Sequence, residues 1–438
     1  MSAPRVLSLG CRLNLAEGEA IRRLAEDAGL LNAVVVNSCA VTNEAVRETR
    51  QKVRRARREN PGARVIVTGC AAQIDPDAFA AMAEVDAVIG NDEKLKAGAW
   101  ARLAAGKAPR VAVNDIMMVR ETAAHFIDGY GDRARAFLQV QNGCDHRCTF
   151  CIIPYGRGAS RSSPIGDVIA GAQRLVDAGH KEIVLTGVDM TSWGADLPGA
   201  PRFGGLVAAL LDAVPDLYRL RLSSVDCAEI DPALFDCLTA EPRVAPYLHL
   251  SLQAGADLIL KRMKRRHSRA DAIALTKALR ARRPGIAIGA DFIAGFPTET
   301  DAHFDQTLAL IDEAGVNFVH AFPFSRRDGA PAAKMPPVPA PVIAARAKAL
   351  REKGAAATRA FLDTLIGRVE EAVVESGGRA RLGNFASVRL AESNAAPGDI
   401  ASVKIVARDG EMLIGETAAF GGGHEKAAPG PKSAARLL

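Results

Sequence analysis

The sequence predicts an α/β protein built from three parts: an N-terminal parallel βαβ domain, a central partial (β/α)6 TIM-like barrel and a small C-terminal all-β barrel. Two observations support this. Short β-rich runs alternate with amphipathic helical stretches as far as residue 324, which is the pattern of parallel βαβ units. Beyond a long helix the pattern changes to short strands separated by turn residues. A length of 438 residues is enough for about three domains.

The first predicted domain spans residues 1–105. It has β-rich runs at 6–10, 33–38, 64–69 and 86–90, separated by helical patterns. Residues 106–133 show little periodicity and are predicted to form a linker.

The second predicted domain spans residues 134–366. Its strand candidates, at 136–141, 182–187, 218–224, 247–253, 286–295 and 317–324, alternate with amphipathic helices. Six consecutive βα units favour a barrel or partial barrel over a small doubly wound sheet. A proline-rich break at 329–341 precedes a long helix that is expected to end near residue 366.

The third predicted domain spans residues 367–421, where VEEAVVE, FASVRLA, IASVKIVA and EMLIGE alternate with turn signals such as NAAPGD and RDG. This pattern indicates a compact all-β module. The tail at 422–438 is rich in Gly, Pro and Ala and is expected to be disordered.

The composition excludes several classes of protein. Hydrophobic residues make up 48% and charged residues 24%, which is typical of globular chains and unlike disordered or fibrous ones. Only 8 cysteines are present, so a disulfide scaffold is excluded. No apolar run approaches the ~20 residues of a membrane helix, and the N-terminus does not resemble a signal peptide. We therefore expect a cytoplasmic protein without membrane partners.

Three cysteines follow the first strand of the predicted barrel in a C-x3-C-x2-C pattern: Cys144, Cys148 and Cys151. Three thiolates this close can hold one metal centre and leave a coordination position open. Structural zinc usually has four ligands, and His146 is awkwardly placed to be the fourth. An iron–sulfur cluster with one open iron fits better. Zinc, or three unrelated buried cysteines, remain the alternatives.

Cys11, Cys39 and Cys70 each stand at the end of a predicted strand of the first domain. In a parallel sheet the carboxyl ends of all strands lie on one edge, where binding sites form. These cysteines are therefore predicted to converge on a second three-thiolate cluster, with ordinary buried cysteines as the alternative. Cys227 and Cys237 have no partner pattern and are predicted to be packing residues.

Several of these segments resemble one enzyme family. NGCDHRCTFCIIPYGRG resembles the cluster loop of the radical S-adenosylmethionine superfamily, and GCRLN, NSCAVT and TGCAAQ resemble the three cysteine motifs of the methylthiotransferase N-terminal domain. The all-β region is similar to that family's RNA-binding TRAM domain. The resemblance spans residues 5–420 in the family's domain order. Together with LTGVD and RGASRS, GCRLN resembles the branch that modifies N6-threonylcarbamoyladenosine in tRNA.

The resemblance implies a reaction and its cofactors. It implies two [4Fe-4S] clusters, one on each cysteine trio, and S-adenosylmethionine, which yields a radical that removes the C2 hydrogen of the adenosine at position 37. Sulfur and a methyl group are then added, giving the 2-methylthio derivative. Phe150, Gly187 and Gly295 are expected to lie near the cofactor at the barrel mouth, although each would also suit a plain loop or turn.

The resemblance also implies partners: the tRNA anticodon loop and an electron donor such as a flavodoxin or ferredoxin, with no DNA. Two basic stretches, at 47–58 and 261–269, are candidates for phosphate contact, the alternative being solvated helix faces. The candidate RNA-binding residues are Arg54, Arg55, Arg58, Lys264, Arg265 and Arg266. Other open functions are methylthiolation of isopentenyladenosine in tRNA or of a ribosomal protein aspartate, and a non-catalytic iron–sulfur carrier.

Overall fold

A computed structural model describes residues 3–120, 129–130, 134–391 and 394–417 of the chain. The N-terminal domain is a five-stranded parallel sheet with strand order β1-β2-β3-β4-β5. Its strands are β1 (Arg5–Ser8), β2 (Ala33–Ser38), β3 (Arg64–Gly69), β4 (Ala87–Ile89) and β5 (Val111–Ala112). Its helices are α1 (Arg12–Asp27), α2 (Asn43–Glu59), α3 (Cys70–Ile74), α4 (Pro76–Ala80) and α5 (Ala97–Ala104).

The central strands of this sheet are covered on both faces. Successive residues of β2 and β3 enter two different apolar cores: Val36 and Val65 belong to one, and Val35 and Ile66 to the other. A parallel sheet buried on both sides has near-continuous apolar strands, and this explains why AVVVNS and RVIVTG contain few polar residues. The four strands expected from the sequence are confirmed.

The predicted linker at 106–133 needs a correction at its start. Val111 pairs with Val88 and Ala112 with Ile89, so the fifth strand of the sheet lies inside that segment. Two residues are too few to show a periodicity, and the sequence alone therefore did not indicate this strand. Residues 121–128 and 131–133 lie outside the described residues.

The central domain is a partial barrel of parallel strands. Two sheets, with orders β10-β9-β6 and β11-β12-β13-β14, follow one another around it. The strands are β6 (Arg135–Gln139), β9 (Glu182–Thr186), β10 (Arg219–Leu222), β11 (Ser224–Val225), β12 (Tyr247–Gln253), β13 (Ala287–Ala294) and β14 (Phe318–Pro323), with a small antiparallel pair β7 (Gln141–Asn142) and β8 (Arg161–Ser162). Because β10 and β11 are consecutive halves of one strand position, the six predicted positions are confirmed.

Helices alternate with these strands as the periodicity predicted. They are α6 (Ile153–Arg157), α7 (Ile165–Asp177), α8 (Phe203–Ala213), α9 (Pro232–Ala240), α10 (Asp257–Met263), α11 (Arg269–Arg282), α12 (Asp301–Glu313) and α13 (Ala340–Asp363). The last of these is the predicted long helix after the proline-rich break. It is fixed to the barrel by a buried Arg346–Glu299 ion pair of 2.8 Å and by Thr358, whose hydroxyl donates to the Asn317 carbonyl at 2.8 Å.

The C-terminal domain is a closed five-stranded barrel of order β15-β16-β17-β19-β18. Its strands are β15 (Val369–Glu375), β16 (Arg379–Leu382), β17 (Ser387–Leu390), β18 (Ile400–Asp409) and β19 (Met412–Thr417). The compact all-β module is confirmed, with β16 added to the four segments that the sequence indicated. Closure leaves no unpaired strand edge, so a small domain can bury its alternating apolar side chains. The predicted disordered tail at 422–438 lies outside the described residues.

The C-terminal barrel docks on the amino-terminal end of the central barrel. Arg221 pairs with Glu182 at 2.7 Å and donates to the carbonyl of Gly383 at 3.0 Å. The ring of Phe385 stacks on Tyr247, with centroids 4.6 Å apart. Phe385 has a φ of +76°, a costly conformation for a residue with a side chain, so the contact holds the backbone against strain. In the described parts of the chain, each helix is too short or too polar to cross a lipid bilayer.

Candidate active site

The N-terminal cysteines lie together at the carboxyl edge of the five-stranded sheet. Cys11 stands between β1 and α1, Cys39 follows β2, and Cys70 begins α3 directly after β3. Burial, together with the nearby charges of the other two sulfurs, raises the pKa of Cys39 to about 11. Gly10, with a φ of +83°, permits this approach, because a Cβ there would lie 2.5 Å from the Cys39 Sγ atom. The structure thus brings Cys11, Cys39 and Cys70 to one place.

The second trio lies in the loop between β7 and α6, at the carboxyl end of the barrel. Cys144, Cys148 and Cys151 are all half-buried, and the Cys151 amide donates to the Cys148 carbonyl at 3.1 Å. Burial raises the pKa of Cys151 to about 11. Burial and the Asp189 carboxylate, 3.6 Å from the Cys144 sulfur, raise the pKa of Cys144. On the other side, the Arg265 guanidinium lies 3.8 Å from the Cys148 sulfur.

Both trios suit an iron–sulfur group better than a single metal ion. All six thiols are free, and thiolates are the usual ligands of iron–sulfur clusters. A tetrahedral zinc site, with Zn–S bonds of ~2.3 Å, would hold its sulfurs ~3.8 Å apart. In the described ranges, however, the groups whose ligand atoms all lie within 4.8 Å of one another contain none of these six cysteines. Those groups are Asp226–Cys227–His267, His249–Asp291–His320 and His146–Asp189–Glu229.

The predicted cofactor residues lie at the barrel mouth, where packing alone accounts for the two glycines. A Cβ on Gly187 would lie 2.9 Å from the Met190 side chain, and one on Gly295 would lie 2.5 Å from Ile343 of α13. Phe150, between the second and third cysteines, packs on an apolar cluster that includes Phe296. Contact of these three residues with a cofactor stays a prediction.

A polar group that the sequence reasoning missed adjoins the barrel cysteines. His146 Nε2 lies 2.8 Å from Asp189 and 3.6 Å from Glu229. Hydrogen bonds to Asp189 and then Glu229 outweigh burial and raise the pKa of His146 to about 10, so the ring is positively charged at neutral pH. Position in the sequence could have indicated such residues. Asp189 and Asp226 follow the carboxyl ends of predicted barrel strands, where the functional side chains of such barrels lie.

The candidate RNA residues of the second basic stretch need a correction. The Arg265 side chain is 7% exposed, pairs with Asp226 at 2.9 Å and donates to the Ser251 carbonyl at 2.7 Å. It is therefore part of the barrel mouth and is not available for a phosphate. Arg266 is 43% exposed but pairs with Glu229 at 2.8 Å. Lys264 is exposed and ends α10 in a left-handed conformation.

The first basic stretch forms α2, and it does present arginines to solvent. Arg54, Arg55 and Arg58 are exposed. Arg55 pairs with Glu59 at 2.6 Å, and Arg54 lies 4.0 Å from Glu84. Exposed pairs of this kind contribute little to stability, so these side chains remain available to an anionic partner.

A fully buried ion network joins the N-terminal domain to the barrel. Arg157, on the helix that follows the cysteine loop, pairs with both carboxylate oxygens of Glu17, while Lys94 reaches the same carboxylate at 2.8 Å. Arg157 also donates to the side-chain oxygen of Asn14 at 2.5 Å, and its Nε lies 3.2 Å from the Cys70 sulfur. Burial would raise the pKa of Glu17, but the Arg157 and Lys94 charges hold it at about 2.

A hydrogen-bonded chain lines the barrel interior. Tyr247 bonds His249 at 2.9 Å, His249 bonds Asp291 at 2.9 Å, and His320 approaches Asp291 at 3.3 Å. Tyr247 and His249 lie on the face of β12 opposite the leucines that pack into the core shared with the helices. We call these four residues the polar chamber wall. His320 is 49% exposed, so the chamber is open to ligands at this point.

Comparison with known proteins connects this geometry to chemistry. Residues 138–311 match the model of the radical SAM superfamily, and residues 5–90 match that of the uncharacterized protein family UPF0004. The radical SAM match implies a [4Fe-4S] cluster and S-adenosylmethionine. The first match covers most of the barrel with its cysteine loop, and the second covers strands β1 to β4 of the sheet, with Cys11, Cys39 and Cys70.

A protein from Rickettsia prowazekii, named threonylcarbamoyladenosine tRNA methylthiotransferase MtaB, is 48% identical over 88% of this chain and 90% of its own length. The chain belongs to the radical S-adenosylmethionine methylthiotransferase family. The enzyme of the same name from Bacillus subtilis is 37% identical over 75% of this chain and 74% of its own. The tRNA-2-methylthio-N(6)-dimethylallyladenosine synthase of Cereibacter sphaeroides is 33% identical over 94% and 97%.

The methylthiotransferase fold also resembles a solved structure of another radical enzyme. The radical S-adenosylmethionine methyltransferase TsrM from Kitasatospora setae superposes with a TM-score of 0.53 at 16% identity, covering 73% of this chain and 68% of its own. At this identity the likeness concerns the fold alone. The family membership expected from the cysteine motifs is confirmed.

The buried network yields a prediction for stability. Glu17→Gln leaves Arg157 and Lys94 buried without a carboxylate, so we expect the free energy of unfolding at pH 7 to fall by ~3–5 kcal/mol. Because the pKa of Glu17 lies at about 2 in the folded protein, below its ordinary 4.5, the ionised carboxylate stabilises fully above pH 4.5. The gap between the wild type and the variant should therefore be constant from pH 8 to 5 and shrink below 4.5.

Chemical denaturation can follow this gap through the fluorescence of Trp100, which is fully buried in the N-terminal domain, with Trp193 replaced by Phe. Glu352→Gln, which removes an exposed carboxylate from α13, is the matched control and should change stability by less than ~0.5 kcal/mol. A Glu17→Gln protein as stable as this control would contradict the network's role.

Proposed function

We propose that the protein converts N6-threonylcarbamoyladenosine in the anticodon loop of tRNA into its 2-methylthio derivative. The 48% identity to the threonylcarbamoyladenosine enzyme of Rickettsia prowazekii, over nearly the whole of both chains, carries this assignment. The dimethylallyladenosine synthase of Cereibacter sphaeroides is equally co-extensive but only 33% identical, which favours the threonylcarbamoyl substrate. A tRNA substrate also makes this a cytoplasmic enzyme.

Two [4Fe-4S] clusters are part of the proposal: one on Cys144, Cys148 and Cys151, and a second on Cys11, Cys39 and Cys70. The spacing of free thiols in both trios supports this. When bound, the clusters would supply the electron that opens S-adenosylmethionine and the sulfur that is inserted. A flavodoxin or ferredoxin is the expected class of electron donor.

The chain's own residues hold the two sites in register. The cysteine loop of the barrel packs directly on the N-terminal sheet, because Ile152 enters the same apolar core as Cys70. Asn91 of the N-terminal domain donates to the Gly156 carbonyl, and Arg157 contacts the Cys70 sulfur. A base that reaches the space between the two cysteine trios would thus meet both sites without a movement of one domain past the other.

Access to a base in an RNA loop requires that the base be unstacked and turned into the site. The exposed arginines of α2 are suited to hold the phosphates of such a loop, because sequence-independent charge contacts position the nucleic acid. The C-terminal domain is a closed barrel, as expected from the resemblance of its sequence to the TRAM module, and it is the second RNA surface of this proposal.

The first test is product analysis. The reconstituted protein, given S-adenosylmethionine, a reductant and tRNA from a strain lacking this activity, should form the 2-methylthio derivative of threonylcarbamoyladenosine, detected by mass spectrometry of nucleosides. Cys148→Ala should abolish both 5′-deoxyadenosine and product, whereas Cys39→Ala should retain 5′-deoxyadenosine and lose product. Cys237→Ala, a half-buried packing cysteine, is the matched control. A 2-methylthio product from dimethylallyladenosine alone, or from no tRNA, would refute the assignment.

The second test counts iron. We expect ~8 iron and ~8 acid-labile sulfide per chain in the anaerobically reconstituted wild type, and ~4 of each in both Cys148→Ala and Cys39→Ala. The Cys237→Ala control should keep the wild-type content. About four iron in the wild type, unaffected by Cys39→Ala, would mean that the N-terminal trio holds no cluster.

The third test concerns RNA binding by α2. Reversing the charges of Arg54, Arg55 and Arg58 to Glu should weaken tRNA binding and make its dependence on salt shallower, because each lost phosphate contact reduces the logarithmic slope by ~0.9. The same change at the exposed Lys277, Lys348 and Arg351 on barrel helices is the control. Equal salt slopes in the wild type and the α2 variant would mean that these arginines do not contact tRNA phosphates and that α2 is a solvated surface.

A further inference from the structure

Arg12 is a half-buried arginine whose guanidinium has no hydrogen-bond acceptor among the described residues. Its recorded contact is the ring of Phe385, with the guanidinium carbon 5.4 Å from the centroid. The residue is only partly accessible to solvent, so its charged group is partly removed from water. An arginine presents five N–H donors, and a desolvated cation without a partner is costly.

The neighbouring arginines are different, because each has a carboxylate. Arg221 pairs with Glu182 at 2.7 Å, and Arg381 with Glu375 at 3.3 Å, although both also lie over the Phe385 ring. Arg12 thus lies among cations whose acidic partners are already engaged. The local field favours an additional anion, and Arg12 is the group with donors free to bind it.

The position of Arg12 connects this free cation to the candidate active site. It is the first residue of α1 and directly follows Cys11, so the backbone ties it to the N-terminal trio. Its guanidinium lies over the ring of Phe385, which in turn stacks on Tyr247, the first member of the polar chamber wall. The backbone of Arg12 therefore adjoins Cys11 in the N-terminal domain, whereas its side chain extends toward the barrel interior near Tyr247.

The proposed substrate carries the group that this cation lacks. A threonylcarbamoyl substituent ends in a threonine, with a carboxylate and a hydroxyl, whereas a dimethylallyl substituent is a hydrocarbon. Guanidinium and carboxylate form bidentate, charge-assisted pairs that are stronger than ordinary hydrogen bonds. We propose that Arg12 binds the threonyl carboxylate of the substrate nucleoside and so selects it over adenosines with an uncharged N6 substituent. This inference rests on the proposed function.

The substituent and the reacting carbon are held at different places. The adenine C2 must reach the region between the two cysteine trios, and a carboxylate on Arg12 would fix the far end of the N6 substituent in the chamber. Phe385, aimed by its strained backbone at the ring of Tyr247, forms an apolar surface under the guanidinium. A site built to pair a charge discriminates against a ligand that lacks it, because the half-buried cation then stays unpaired.

The decisive experiment crosses the variant with the substrate. The wild type and Arg12→Gln are compared on an anticodon stem-loop RNA that carries threonylcarbamoyladenosine and on the same RNA with its threonyl carboxylate converted to the amide. We expect Arg12→Gln to lower kcat/KM and weaken binding ~10- to 100-fold on the acid RNA, through KM and Kd, with little change in kcat. On the amide RNA, the kcat/KM of the wild type should fall by a similar factor relative to the acid RNA. The kcat/KM of Arg12→Gln should be nearly the same on the two RNAs.

Controls separate substrate recognition from folding. Arg22→Gln removes one positive charge from the same helix, at a distance from the chamber, and should behave as the wild type on both RNAs. Arg12→Lys keeps the charge without the bidentate geometry and should recover part of the loss. The iron content of Arg12→Gln is measured alongside, so that loss of a cluster at the neighbouring Cys11 is distinguished from loss of substrate binding.

The outcomes are distinguishable. A wild type that forms no methylthio product from the acid RNA overturns the proposed function. If the wild type forms the methylthio product, two results overturn the role of Arg12 and leave the proposed function standing. In the first, Arg12→Gln is unimpaired; in the second, its kcat/KM falls by the same factor relative to the wild type on both RNAs. In the latter case the arginine would serve the fold or contact an RNA phosphate.

Discussion

The buried contact between Arg157 and Glu17 is the constraint that relates the two cysteine trios to each other. Arg157 belongs to the barrel and follows its cysteine loop, whereas Glu17 belongs to the first helix of the N-terminal domain. An ion pair without water is tolerated only when its donors and acceptors are satisfied, and Lys94, Asn14 and Cys70 complete this one. A shift of one domain against the other would leave charges buried and unpaired, so the spacing between the sites is firmly held.

The site forms where elements of all three domains meet. A parallel sheet and a parallel barrel each present functional groups at their strands' carboxyl ends, and here these two ends adjoin, with Cys70 on one side and the loop of Cys151 on the other. The C-terminal barrel adds Phe385, which closes the opposite end of the chamber over Tyr247. This arrangement places the two cysteine trios at one end of the chamber and the contact between Arg12 and Phe385 at the other.

Patterns that repeat along the chain were predictable. Strands such as AVVVNS and YLHLSLQ were predictable because several apolar residues recur with strand character, and helices such as α7 and α11 because their periodicity extends over three turns or more. The two-residue strand at 111–112 and the strand at 379–382 were not predictable from the sequence. Segments this short become strands because of the neighbouring strand with which they pair. The residues next to such a segment do not indicate which strand it will pair with.

The family, the three-part architecture and the six candidate cluster ligands were predictable from the sequence, because cysteine motifs, cysteine spacing and strand-end position are local properties. The partners of the charged side chains became clear only from the tertiary structure. It showed that Arg265, a candidate phosphate contact, is the partner of Asp226, and that Arg12 has no carboxylate partner among the described residues. The partners of a charged side chain depend on which distant residues the fold brings close to it, and its pKa depends also on how far the fold excludes water from it. The neighbouring sequence indicates neither.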